Sequence, residues 1–133
     1  MLRMRSIPAI LILLALGLVT ACQPSGVRPH SVFVSPVTVM QTQHGLASIY
    51  RDHRTASGER FNSAALTAAH RTWPMGTKVR VTHLKTGRQV IVRVNDRGPF
   101  IRSRVIDLTP AAATSIGISR QQGLAQVKIE RLK

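Results

Sequence analysis

TKVRVTHLKTGRQVIVRVNDRGPF, residues 77–100, carries the plan of the fold. Thr77 to Thr82 alternates with a period of two, Lys85-Thr86-Gly87 has turn chemistry, and Arg88 to Val94 alternates again, so a β-hairpin is predicted. Val90, Val92 and Val94 share one face of the second strand, and Gln89, Ile91 and Arg93 share the other. Apolar content on both faces is expected of a strand built into a closed barrel. The strand then stops in an acid, a base, a glycine and a proline, Asp96-Arg97-Gly98-Pro99.

Outward from this hairpin, short apolar stretches alternate with turn signals, which predicts an all-β barrel or sandwich. Gly45 to Tyr50 reads as a first strand, and Arg51 to Asn62 as a polar loop containing Gly58. Leu66 to His70 is short enough to be strand or helical turn, and Pro74-Met75-Gly76 is a turn. Arg104 to Leu108 is another strand. Thr109 and Pro110 then supply an N-cap and a first-turn proline for a short helix over Ala111 to Ile116, which Gly117 stops. Ala125 to Leu132 closes the pattern as a final strand.

Before Gly45 the character differs. Arg3 and Arg5 lead into an apolar run from Ile7 to Leu16, then small residues up to Ala21-Cys22, the layout of a secretory signal peptide. The run is shorter than the ~20 residues that a membrane span needs. Val19-Thr20-Ala21-Cys22 resembles the lipobox of bacterial lipoproteins, which implies lipidation of Cys22 and cleavage before it. Gln23 follows, not the Asp that retains many such proteins at the inner membrane, so an outer-membrane anchor facing the periplasm is expected. Residues 23 to about 43 hold Pro24, Pro29 and Pro36 with no apolar periodicity, as a disordered tether would. The expected organisation is a signal peptide over 1–21, a lipidated N-terminus and tether over 22–44, and one domain over 45–133.

With 19 Lys and Arg against 5 acids the chain carries a formal charge of +14. Such an excess bears on partners and not on fold. Nucleic acid is the usual reading of a basic domain, but an exported lipoprotein seldom meets any, and Phe33, Tyr50, Phe61, Trp73 and Phe100 are too few for the stacking platforms of single-strand binders. No nucleic-acid partner is expected; anionic headgroups and cell-wall polymers remain, met by a monomer.

Only Asp52, Glu59, Asp96, Asp107 and Glu130 are acidic. Asp52 and Glu130 read as solvated charges or ion-pair partners. Asp96 ends a strand, where a rigid scaffold displays functional groups, or where a carboxylate caps a turn by accepting a backbone N–H; the residues alone leave both open. Glu59 is a loop acid and reads first as solvated. His70 closes an apolar stretch and is more simply a hydrogen-bonded structural residue than a catalyst. Asp107 lies between apolar neighbours, so it needs donors such as an Arg or backbone N–H groups, and a structural bridge is expected. The histidines form no pair at i, i+4 and the single cysteine is accounted for, so no metal is expected. GxGxxG, GxxxxGK and GxSxG are all absent, so neither a cofactor nor a serine-hydrolase elbow is supported.

Four stretches taken in order are similar to the rare lipoprotein A family: Gly45–Tyr50, Thr55-Ala56-Ser57-Gly58-Glu59-Arg60-Phe61-Asn62, Leu66–Thr77 and Val92–Phe100, with Arg104–Thr109 and its alanine helix continuing the match. The resemblance implies a six-stranded double-psi β-barrel and lytic transglycosylase action on peptidoglycan strands stripped of stem peptides, leaving 1,6-anhydro ends. It places the family's functional acids on Asp96 and Glu59 and its histidine on His70. Asp96 is then the general acid/base, Glu59 the neighbour that would raise its pKa, His70 an orienting group, and Arg97 and Tyr50 holders of the glycan. Ile49-Tyr50-Arg51 stands where the family usually has Trp-Tyr-Gly, and the loop at Asp52-His53-Arg54 is shorter. The alternative is a non-catalytic, expansin-like glycan-binding lipoprotein.

Overall fold

The computed structural model describes residues 35–133 and, ahead of them, Gly17 alone. The remainder of the expected signal segment, Cys22 and the tether up to residue 34 lie outside the described residues. Six strands and one helix follow in order: β1 (Val39–Ile49), β2 (Thr67–Ala69), β3 (Lys78–His83), β4 (Gln89–Asp96), β5 (Arg104–Leu108), α1 (Pro110–Ser115) and β6 (Leu124–Leu132). They close into a barrel in the order β1-β5-β2-β4-β3-β6. The pairs β1/β5 and β2/β4 are parallel and the other four are antiparallel. This is the six-stranded double-psi architecture that the resemblance implies.

The β3/β4 hairpin forms as read, with Val81 opposite Val90 and Val79 opposite Val92. Gly87 turns it at φ +74°, a conformation that favours glycine. Val79, Val81, Val90, Val92 and Val94 point inward with Ile106, Leu108, Val127 and Ile129, and together they fill the barrel. The outward face departs from expectation: Ile91 is half exposed. One face of β4 is therefore enough for the barrel, because a six-stranded interior is filled by a single inward set of side chains from each strand. The ambiguous Leu66–His70 stretch is strand at Thr67–Ala69, a fully buried segment between β4 and β5.

The expected tether does not run to residue 44. Strand β1 begins at Val39 and pairs with β6 from Val39 opposite Leu132 to Ser48 opposite Leu124. Its first residues are mostly exposed, so they carry no apolar alternation; the backbone ladder to β6 makes the strand. Gly45 has a steric reason: a Cβ there would meet Val105 Cγ1 at 2.5 Å and the Ser103 carbonyl at 3.3 Å, so β1 and β5 approach closely only with glycine at this position.

Helix α1 is capped by Thr109, whose hydroxyl accepts from the Ala112 N–H at 3.4 Å and donates to the Ala65 carbonyl at 2.6 Å. Ala112, Ala113 and Ile116 are buried against the barrel. The short helix is thereby pinned to the segment that leads into β2.

Candidate active site

The register of the barrel assembles one polar row. Ser48 on β1 is opposite Asp107 on β5, Asp107 is opposite Ala69 on β2, and Ala69 is opposite Asp96 on β4. Residues directly opposite on paired strands share a face. Ala47, Ala68, Ile106 and Leu108 point inward, so Ser48, Ala69 and Asp107 point outward by alternation. A register shift between Ala68 and Ala69 brings Asp96 onto that same outward row. Each member is nonetheless at least nine-tenths buried, because neighbouring loops fold over the row.

Asp96 lies 7% exposed at the end of β4. Its Oδ1 accepts from the Ala56 N–H at 2.9 Å and from the Arg97 N–H at 2.8 Å, while Oδ2 has no hydrogen-bond partner among the described residues. The turn-capping and functional readings of this acid are thus compatible: one oxygen caps, and the other remains for a ligand. The Ser57 N–H donates to the Asn95 carbonyl at 3.1 Å, so the 51–61 loop is stitched along the end of β4.

Glu59 is not the neighbour expected beside Asp96. Its carboxylate takes a bidentate pair from Arg93 at 2.7 and 2.9 Å, with Asn95 Nδ2 at 3.5 Å. Those hydrogen bonds, Arg93 foremost, hold its pKa down at about 2. A carboxylate already satisfied by a guanidinium fork is a latch on the loop, not a proton reservoir. The second carboxylate in the row is Asp107. Its Oδ1 accepts from the Ser48 hydroxyl, and Arg104 Nε lies 3.4 Å away as an ion pair without a hydrogen bond, so the charge partner expected of a bridge is there while the donor is a serine.

His70 is buried and stacked on Trp73, with ring centroids 4.1 Å apart and planes within 11°. Its Nδ1 accepts from the Thr72 and Trp73 N–H groups at 3.2 and 3.0 Å. That assigns the proton of the neutral ring to Nε2, which lies 3.4 Å from Gln43 Oε1. Burial, then Arg71 and Arg97, push its pKa down to about 4. A cavity of about 230 Å³ opens beside it, lined by Gln43, His70, Arg71 and Thr72. The His70 backbone N–H donates to the Asp96 backbone carbonyl at 3.1 Å, which holds the two residues side by side where β2 and β4 end.

Arg97 and Tyr50 are placed otherwise than expected. Arg97 Nη1 donates to the carbonyls of His70 and Trp73 at 3.1 and 2.7 Å, so it clamps the turn after β2 instead of reaching outward. The Tyr50 ring meets Phe61 edge-on at 5.3 Å, and its hydroxyl is buried with no hydrogen-bond partner among the described residues. Burial, then Asp96, Asp107 and Asp52, raise its pKa, so the phenol stays protonated and forms an inner wall facing the carboxylates.

Ser48, Arg93, Asn95 and Gln43 were not singled out from sequence. Arg93 and Asn95 flank the motif acid and were visible as unusual polar residues at the end of an apolar strand. Ser48 and Gln43 become site residues only through register, which no single strand's sequence contains.

The family described as lytic transglycolase matches residues 42–129. Relatives include the probable endolytic peptidoglycan transglycosylase RlpA of Synechocystis sp., 49% identical over 104 residues, or 75% of this chain and 32% of the relative. The endolytic peptidoglycan transglycosylases RlpA of Campylobacter jejuni and Neisseria meningitidis are 43% and 53% identical, covering 81% and 68% of this chain and 40% and 39% of theirs. The chain therefore spans only 32–40% of the length of these curated relatives. Among solved structures, a Streptomyces papain inhibitor superposes with a TM-score of 0.59 at 21% identity, covering 73% of this chain and 99% of its own. An expansin of Clavibacter michiganensis gives 0.52 at 21%, covering 70% and 51%. At such identity these two share the fold alone. With the barrel, the Asp96 loop and the matched span all in agreement, the chain belongs to the lytic transglycolase family.

Proposed function

We propose that the protein is a lytic transglycosylase that cleaves peptidoglycan glycan strands, stripped of stem peptides, with Asp96 as general acid and then base. The observation that carries this reading is Asp96 itself: one oxygen is fixed by two backbone amides, the other has no partner, and the group is held nearly out of water. Lytic cleavage needs one proton delivered to the glycosidic oxygen as the bond from the anomeric carbon breaks. The sugar's own C6 hydroxyl then closes on that carbon and gives up its proton, leaving a 1,6-anhydro end and a free hydroxyl on the departing strand. One carboxyl group serves both transfers, and no water is consumed. Asp107, fixed by Ser48 and Arg104, contributes negative charge near the developing oxocarbenium ion. His70, neutral at the pH of use, offers its Nε2 proton to a sugar hydroxyl or acetamide oxygen.

In this reading Cys22 carries lipid and anchors a monomeric barrel to the outer membrane, facing the periplasm. Support comes from the signal-like segment and its lipobox resemblance.

The test uses the full chain and peptide-free glycan strands, with mass spectrometry of the products. Wild type yields 1,6-anhydro ends; Asp96→Asn keeps the Oδ1 acceptor and the fold but loses a factor of about 10²–10⁴ in rate. Strands bound without anhydro product would replace this reading with the non-catalytic one.

A further inference from the structure

Four residues beyond Asp96, Phe100 is 85% exposed, the most exposed of the large hydrophobic side chains among the described residues. It is not a loose tip, because Pro99 immediately before it is fully buried. The ring lies against Gly98: a Cβ built there would stand 3.5 and 3.7 Å from Phe100 Cε2 and Cδ2, and 3.9 Å from Asp107 Oδ2. An aromatic ring and a carboxylate oxygen of the row thus both lie within 4 Å of one point at Gly98.

A pyranose ring has two surfaces of matching chemistry, a flat face of C–H groups and an edge of hydroxyls. The face buries apolar area against an aromatic ring, and the hydroxyls donate to carboxylate oxygens. A lipid bilayer fits less well. Acyl chains would meet the ring but bring no hydroxyl to Asp107 Oδ2, which has no hydrogen-bond partner among the described residues.

We propose that Phe100, presented over Gly98, is the stacking platform for a sugar ring of the glycan strand and a binding residue of the site. The proposal rests on the glycan-cleaving reading above and adds a binding residue to its site.

The experiment measures equilibrium pelleting of the full chain with peptide-free glycan strands on ice, for wild type, Phe100→Ala, Phe100→Ile and Phe100→Trp. Truncating so exposed a ring leaves thermal stability unchanged, which the same preparations check. Alanine and isoleucine weaken binding about ten-fold, while tryptophan retains or tightens it. Unchanged binding by Phe100→Ala in a protein that binds glycan overturns the platform alone. Wild-type binding by Phe100→Ile also overturns it, since apolar area without a flat face would then suffice. Failure of wild type to pellet with glycan removes the glycan reading itself, and the platform with it. A parallel arm uses anionic phospholipid vesicles, where wild type and Phe100→Ala behave alike; loss of vesicle binding with intact glycan binding would assign the ring to a lipid surface and overturn the proposal.

Discussion

The histidine at position 70 is held neutral by its surroundings. Burial first, then the charges of Arg71 and Arg97, oppose a positive ring, so its pKa falls to about 4 from an ordinary 6.5. Between those values the unfolded chain binds the proton and the folded one does not. The resulting stability is present in full above 6.5 and is lost as the pH falls through 4, a contribution on the order of 1–3 kcal/mol. Urea midpoints measured from neutral pH down to about 4.5 will fall less steeply for His70→Gln than for wild type, and parallel profiles would refute the assignment. Asp96 and His70 were legible in sequence because short ordered motifs surround them. Their partners were not: Glu59 looked like Asp96's neighbour by motif, yet Arg93, opposite Thr67 in the β2/β4 ladder, claims it in space.

Elements were legible where one face meets the core and illegible where none does. The hairpin of β3 and β4 announced itself by alternation, whereas the first half of β1 is polar, exposed and held by its ladder to β6. Thr109 links helix, loop and strand, through its hydroxyl to Ala65 and Ala112 and its N–H to the Thr67 carbonyl at 3.2 Å. Thr109→Ala removes the cap and orphans the Ala65 carbonyl, at a cost of about 1–2 kcal/mol, seen as a lower melting temperature. Gly45→Ala is expected to cost a similar ~1–3 kcal/mol, because Val105 must yield and the Ser103 carbonyl cannot. An unchanged melting temperature in that variant would show that β1 and β5 can separate without penalty.

At the scale of the whole molecule, a charge of +14 gives the chain a long-range attraction for anionic polymers that owes nothing to the site. Raising ionic strength from about 0.1 M to about 1 M shortens the screening length from ~10 to ~3 Å. Pelleting with intact, anionic cell wall will therefore weaken with salt by a similar factor in wild type and Asp96→Asn. Salt dependence that vanished with Asp96 would place the attraction in the site instead. Composition made this field readable at once; the closing order of the strands was readable only through the resemblance, because β1 pairs with β5 and β6, neither of them its neighbour in the chain.

That order has a temporal meaning. Strand β6 bonds to both β1 and β3, so the barrel cannot close until the last strand docks. The carboxylate row crosses four strands, drawn from Ser48 at one end of the domain's sequence and Asp107 near the other. Such pairings come late in folding, since distant segments must meet before any contact rewards them. A half-folded chain holds every side chain of the site and none of its geometry. The geometry of the site therefore arrives in the same step as the finished barrel, so a single late docking event sets both.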